Sequence, residues 1–212
     1  MDAMSEFYLL ISESRIHLNM LKMLLILSLV LLFAVPTSAQ LGNGTCDEGW
    51  KWFHRTGGGW CMKLFTGSYS WFHAAGLCQT QGARLSGIGG DTGVNPQQRI
   101  EQQWIKDTLL NLTSHITDIQ PNVWIGARRK PECMYKQLNV AALCIPVLAF
   151  EWTDGKTIGV NGFQWAPGEP NNVGGIEDCG ALRTDMNKSN DFDCYSTHNT
   201  RGYVCGKPQI DP

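Results

Sequence analysis

The sequence has no basic run. Its 17 lysines and arginines are outnumbered by 19 acids, leaving a net charge of −2, so it lacks the cationic stripe that phosphate recognition needs. Charged residues are only 17% of the chain against 43% hydrophobic ones, too apolar a balance for a disordered segment. No internal repeat, low-complexity linker, Gly-X-Y triplet or sustained heptad occurs, which excludes a collagen stalk and a coiled coil. No G-x-S-x-G, H-E-x-x-H or P-loop is present, so nothing points to an enzyme. No C-x-x-C or H-x-x-x-H spacing offers a zinc site.

The longest apolar run, Met23 to Val35, falls short of the roughly 20 residues that a membrane-spanning helix takes. Lys22 precedes it and Pro36-Thr37-Ser38-Ala39 follows, the order of a secretory signal cleaved after Ala39. Translation from Met20 or Met23 would shorten a long, acid-containing lead, and an uncleaved anchor starting near Leu18 is the competing reading. All eight cysteines and all eight tryptophans lie beyond the run, as do sequons at Asn43, Asn111 and Asn187. An even cysteine number, a signal and sequons together predict a secreted, extracellular, disulfide-bonded glycoprotein.

From Cys46 to Cys205 short apolar segments alternate with Gly, Pro and Asn, a pattern of one loop-rich domain. Gly59–Phe65 reads as a strand. Ser70 then caps a helix whose Trp71, Ala74, Ala75 and Cys78 share one face. Asn95-Pro96 opens a second helix with Ile100, Trp104 and Leu109 as its apolar set and Gln98 at the capping-box position. Strands are expected at Val123–Ala127, Phe150–Trp152, Gly180–Arg183 and Gly202–Cys205, so the class is α+β. The stretch from Gly155 to Cys179 has little periodicity, and a loop that long in a compact domain is usually functional.

Eight cysteines allow roughly a hundred pairings, and spacing alone does not choose among them. The order of phrases does more. Trp71 to Cys78 is followed by Gly82-Ala83-Arg84-Leu85, then Trp124-Ile125-Gly126, Trp152-Thr153-Asp154-Gly155, Trp165, Glu169-Pro170-Asn171, and the closing Cys179, Cys194 and Cys205. In that order the chain resembles the C-type lectin domain, the calcium-dependent carbohydrate-recognition module. The resemblance implies an α+β fold of two helices and two small antiparallel sheets with a long calcium- and sugar-binding loop. It implies a signal over 1–39, a lead over 40–45, the domain over 46–207 and a tail over 208–212. It also implies the pairs Cys78–Cys205, Cys179–Cys194 and Cys46–Cys61, leaving Cys133 with Cys144.

The same resemblance assigns a calcium site to Glu169, Asn171, Glu177, Asn190 and Asp191, with Glu169-Pro170 in cis. Calcium takes six to eight oxygen ligands, so these five residues leave room for two vicinal sugar hydroxyls. Glu-Pro-Asn is the order that goes with mannose-type sugars, and the expected partners are glycans ending in them, on glycoproteins or microbial surfaces. Asn172, Asp178 and Asp154 are candidates for accessory ligands, against the plainer reading of solvated surface groups, and His198 is a candidate for the rim only; His73 reads as packing or surface. One departure stands out, because Ser189 occupies the position of the family's tryptophan and also completes the Asn187 sequon. A glycan there would shield the sugar site. Loss of that tryptophan favours the alternative, a domain of this fold that binds protein instead of sugar, and an uncleaved signal would make it a membrane-anchored receptor.

Overall fold

The computed structural model describes residues 44–89, 96–113, 122–134 and 144–210, with Met20 and Lys22. The chain divides into two units, Met1–Gly42 and Asn43–Pro212. The expected signal run with its cleavage point, Asn43, Asn95 and the tail's last two residues lie outside the described residues, and no described helix is long and apolar enough to cross a membrane.

In the second unit the strands are β1 (Lys51–Arg55), β2 (Gly58–Thr66), β3 (Arg84–Leu85), β4 (Asn122–Arg129), β5 (Phe150–Trp152), β6 (Cys179–Arg183), β7 (Lys188–Phe192) and β8 (Gly202–Pro208). They run in the order β1-β2-β8-β4-β6-β7, with β3 on β8 and β5 on β4. All pairs are antiparallel except β4 with β8, where Val123 faces Gly202 and Trp124 faces Tyr203. That parallel contact joins what the sequence reading expected as two antiparallel sheets into one mixed sheet. The join requires glycine. A Cβ on Gly202 would meet the Phe65 carbonyl oxygen at 2.6 Å, and one on Gly126 would meet that of Leu85 at 2.1 Å. The Trp-Ile-Gly phrase therefore marks where β3 and β4 approach through bare backbone.

Helix α1 (Trp71–Thr80) is capped by Ser70, whose hydroxyl accepts the His73 N–H at 3.2 Å. It buries Trp71, Ala74 and Cys78, and the Trp71 indole donates to the Ile125 carbonyl at 2.9 Å. Helix α2 (Pro96–Thr113) packs Leu109 and, partly buried, Trp104 against the core as expected, but not Ile100. Ile100 is 52% exposed, while Glu101, Ile105 and Leu109 are buried. An ion pair sets the rotation of the helix: Arg55 holds both Glu101 oxygens, Nε to Oε1 at 2.9 Å and Nη2 to Oε2 at 2.8 Å. Gly89 N–H adds a third bond to Glu101, and Thr157 and the Gly87 carbonyl take the remaining guanidinium protons. Apolar periodicity could not foresee a helix oriented by a buried acid.

Four disulfides join Cys46 to Cys61, Cys78 to Cys205, Cys133 to Cys144 and Cys179 to Cys194. The second ties α1 to β8 across 127 residues of sequence, a closure worth about 5 kcal/mol on chain-entropy reasoning. The fourth staples the first residue of β6 to the segment just past β7, directly below the long loop.

Breaking a buried pair from one side leaves a charge without a partner, at a cost of about 3–5 kcal/mol. Glu101→Gln should destabilise the protein by that order in denaturant unfolding. The double variant Arg55→Met/Glu101→Leu should recover most of the loss, and equal instability of the single and double variants would refute this account.

Candidate functional site

The long loop rises from β5 and is first held by backbone. Trp165 bridges Ser189 in parallel, Ser189 N–H donates to the Gln164 carbonyl at 2.7 Å, and Ala166 N–H donates to the Ser189 carbonyl at 2.8 Å. Below this arm the rings of Trp152, Phe163 and Trp165 stack in series, at 3.9 and 5.5 Å between centroids. The chain then turns at Glu169-Pro170, a cis bond with Pro170 buried.

Beyond that turn a single carboxylate organises the loop. Asp191 is fully buried. Its Oδ1 accepts the Asn171 N–H at 3.1 Å and its Oδ2 the Asn172 N–H at 3.0 Å. Asn172 is left-handed, at φ 49°, and its side-chain oxygen accepts the Glu177 N–H at 3.0 Å. Val173 N–H reaches both Asn171 Oδ1 at 3.1 Å and Glu177 Oε2 at 2.7 Å. Glu169, Asn171, Glu177, Asn190 and Asp191 thus fall into one connected cluster. The Asn190 amide lies against Glu169, and with its nitrogen assigned to face the carboxylate it donates to Oε1 at 2.8 Å and Oε2 at 3.0 Å. Turned over, the same amide would set oxygen against oxygen, an arrangement that only a cation between them would stabilise.

Arg129, at the end of β4, went unremarked in the sequence. It is 6% exposed. Its Nη2 donates to Asp191 Oδ2 and to the Glu177 carbonyl, both at 2.9 Å, and its Nε donates to Asp178 Oδ1 at 2.9 Å. The guanidinium lies 4.7 Å from the centroid of the Phe150 ring. The available signal was strand alternation, since the second of two adjacent arginines after the buried Val-Trp-Ile segment must point to the face opposite the first. Asp178 is therefore the anchor of an arginine. Asp154 is taken up elsewhere, accepting from Gly87 N–H, Lys156 N–H and both the N–H and hydroxyl of Thr157. His198 is exposed, and the ring of His73 packs 4.8 Å from Tyr69. Ser189 is buried, with a hydroxyl that finds no partner. Asn187 begins β7's polar approach in a left-handed turn, and its Nδ2 donates to Gln103 Oε1 at 3.2 Å; Asn111 is exposed on α2.

The cluster carries excess negative charge. Glu169 is pushed above the ordinary carboxyl range by burial first and then by the Asp191 charge, with the Asn171 N–H opposing. Glu177 is pushed up by burial, opposed by the Val173 N–H, with Asp191 and Glu169 adding to the rise. Hard, anionic, closely set oxygens suit a calcium ion. Among the described residues no three carboxylate, imidazole or thiolate side chains converge on a metal by themselves, so an ion here would draw on the amide oxygens of Asn171 and Asn190.

A family model for C-type lectin domain-containing protein 141/158 matches residues 54–208. No curated protein is significantly similar to the chain. Among solved structures, the cow C-type carbohydrate-recognition domain of CD23, crystallised in the presence of a GlcNAc2Man3 oligosaccharide, is 24% identical with a TM-score of 0.53. That match covers 79% of this chain and 99% of that one. A calcium-independent type II antifreeze protein is 23% identical with a TM-score of 0.52, covering 79% and 97%. Human lithostathine is 21% identical with a TM-score of 0.51, covering 78% and 92%. At these identities the structural likeness establishes the fold.

A carboxyl whose pKa is raised on folding binds its proton more tightly in the folded chain, so its contribution to stability falls as pH climbs from 4.5 through the raised value. Without divalent cations, Glu169→Gln/Glu177→Gln should match the parent protein's melting temperature below that window. Above it the variant should melt higher, and a gap that ignores pH would contradict the assignment. Replacing Arg129 with Met leaves Asp191 buried and unpaired, a loss of about 3–5 kcal/mol. In EDTA, limited proteolysis should cut this variant within 155–178 before the parent protein is touched.

Proposed function

Because the chain belongs to the C-type lectin domain-containing protein 141/158 family, whose model spans residues 54–208, a family of non-enzymatic binding domains, we propose that it is a secreted, calcium-dependent lectin for mannose-type sugars. The observation that carries the reading is the gathering of Glu169, Asn171, Glu177, Asn190 and Asp191 into one hydrogen-bonded cluster at the partly exposed surface of the loop.

In this reading Glu169, Asn171, Glu177, Asn190 and Asp191 hold the ion. Bound calcium would supply a Lewis-acidic centre whose coordination two vicinal sugar hydroxyls complete. The protein's own groups do the recognising. Each sugar hydroxyl is both donor and acceptor. Glu169 and Glu177 accept its proton, while the Asn171 and Asn190 amides donate to its oxygen. Equatorial, adjacent hydroxyls satisfy both at once, and the Glu-Pro-Asn order assigns the mannose class. A glycan on Asn187 would stand about 10 Å along β7 from Asn190, within reach of the sugar site. Single-site affinity of this kind is modest, so strong attachment depends on several copies meeting one surface.

A second reading has its own support in Arg129. Its guanidinium pairs with both Asp178 and Asp191, so the loop has an internal cation and could serve a protein ligand without calcium.

The full chain, expressed in a secretory host, should appear in the medium with its N-terminus at Gln40. It should be retained on immobilised mannose in calcium and be released by EDTA, by free mannose or by acid, and not by galactose. Glu169→Ala and Asp191→Asn should each abolish retention. Calcium binding by calorimetry without retention would transfer the site to the protein-binding reading; a chain that binds no calcium would reject the lectin mechanism.

A further inference from the structure

Arg128 and Arg129 are neighbours on β4, so strand geometry sends them to opposite faces. Arg129 enters the loop site. Arg128 lines a cleft of about 1050 Å3 between α1, β3, β8 and the turn after β5. Its lining sets Phe72 and the small residues Ala75 and Gly76 beside Arg84, Arg128 and Lys156.

None of these three cations is ion-paired with an acid among the described residues, and the Lys156 ammonium donates to the Gly57 carbonyl. Glu151, the register neighbour of Arg128 on β5, forms no ion pair with it. The Arg128 guanidinium lies 5.2 Å from the Phe72 ring and 6.0 Å from that of Trp71, and its Nε is buried without a hydrogen-bond partner. Lys207, also in the lining, is neutralised by Asp47. The one carboxylate facing the cleft, Asp154, has its oxygens occupied by Gly87, Lys156 and Thr157. The cleft therefore offers charged donors and apolar groups, with no free carboxylate.

That chemistry selects the ligand. A neutral sugar carries no charge to meet the guanidinium groups of Arg84 and Arg128, whereas a carboxylate does. A small inorganic anion would leave most of the volume and the apolar groups unused. Phe72 is 37% exposed, and Tyr195, 5.2 Å from it, is 75% exposed, so the apolar edge extends beyond the arginines. We propose that the cleft docks an acidic peptide segment of a partner protein. Its carboxylates pair with Arg84 and Arg128, and an apolar side chain between them packs on Phe72, Ala75 and Gly76. Bidentate geometry favours guanidinium with carboxylate, and the aromatic rings beside Arg128 hold that side chain ready. This docking site is independent of calcium and of the loop.

The test uses the full secreted chain in EDTA with free mannose, which silences the loop site. The probes are a fluorescent peptide of about ten alternating Glu and Phe residues and a heparin-derived sulfated hexasaccharide. The peptide should bind, and should weaken as ionic strength rises through about 0.15 M. Arg84→Gln should weaken it about tenfold, and Arg84→Gln/Arg128→Gln further. Arg84 is exposed, so its substitution leaves the fold intact even if Arg128→Gln does not. Binding of the hexasaccharide alone, of neither probe, or of the peptide equally to parent and Arg84→Gln proteins would overturn the proposal.

Discussion

A guanidinium buried under the loop constrains everything above it. Arg129 is 6% exposed, so its charge has to be met from within. Three elements meet it: Asp191 from β7, and the Glu177 carbonyl and Asp178 from the descending arm of the loop. None of these reaches Arg129 unless the loop closes and β7 pairs with β6, where the Cys179–Cys194 bridge pins the two together. Asp191 then passes the constraint upward, because its two oxygens fix the amides of Asn171 and Asn172. The Glu-Pro-Asn tripeptide is thus positioned from below by an ion pair.

The same strand end explains why the domain has two chemically different faces. Alternation along β4 places Arg129 among acids and Arg128 over aromatic rings without an ion-pair partner. Both are held by the same backbone, which pairs with β6 on one side and β8 on the other. A ligand at either face therefore meets a surface stiffened by the central sheet, and the loop contributes specificity at one face alone.

How much of this was legible depended on whether side-chain pattern or backbone carried the structure. Trp71, Ala74 and Cys78 announce α1 through their spacing, and Trp124-Ile125-Gly126 announces a strand that must be approached closely. β7 was not foreseen because Lys-Ser-Asn-Asp-Phe has the composition of a turn; backbone pairing with β6 and the inward turn of Asp191 make it a strand. β3 is two residues long and exists only because β8 lies beside it. The face of α2 was misread at Ile100 because the buried neighbour is an acid, Glu101, whose partner Arg55 is 46 residues away in sequence. Arg129 escaped notice for a related reason, since an arginine closing a strand reads as solvated. The carboxylates and amides of the loop were legible by resemblance; the cation organising them was not.

Arg129 also decides what is left for a metal ion to do. It faces the rear of Asp191 and Asp178 and offsets one of their two negative charges within the protein. Glu169 and Glu177 sit in front with backbone amides and the Asn190 amide for partners and no cation of their own. Burial first and then the Asp191 charge raise both carboxyls, Glu169 adding to the rise at Glu177, and amide hydrogen bonds only partly oppose this. Two routes relieve the repulsion: a proton, favoured as pH falls, or a divalent cation, favoured once both groups are ionised. On the proposed reading the internal arginine builds the loop and the unbalanced pair in front of it recruits the calcium. Loop folding and ligand recruitment then belong to different charges of one cluster.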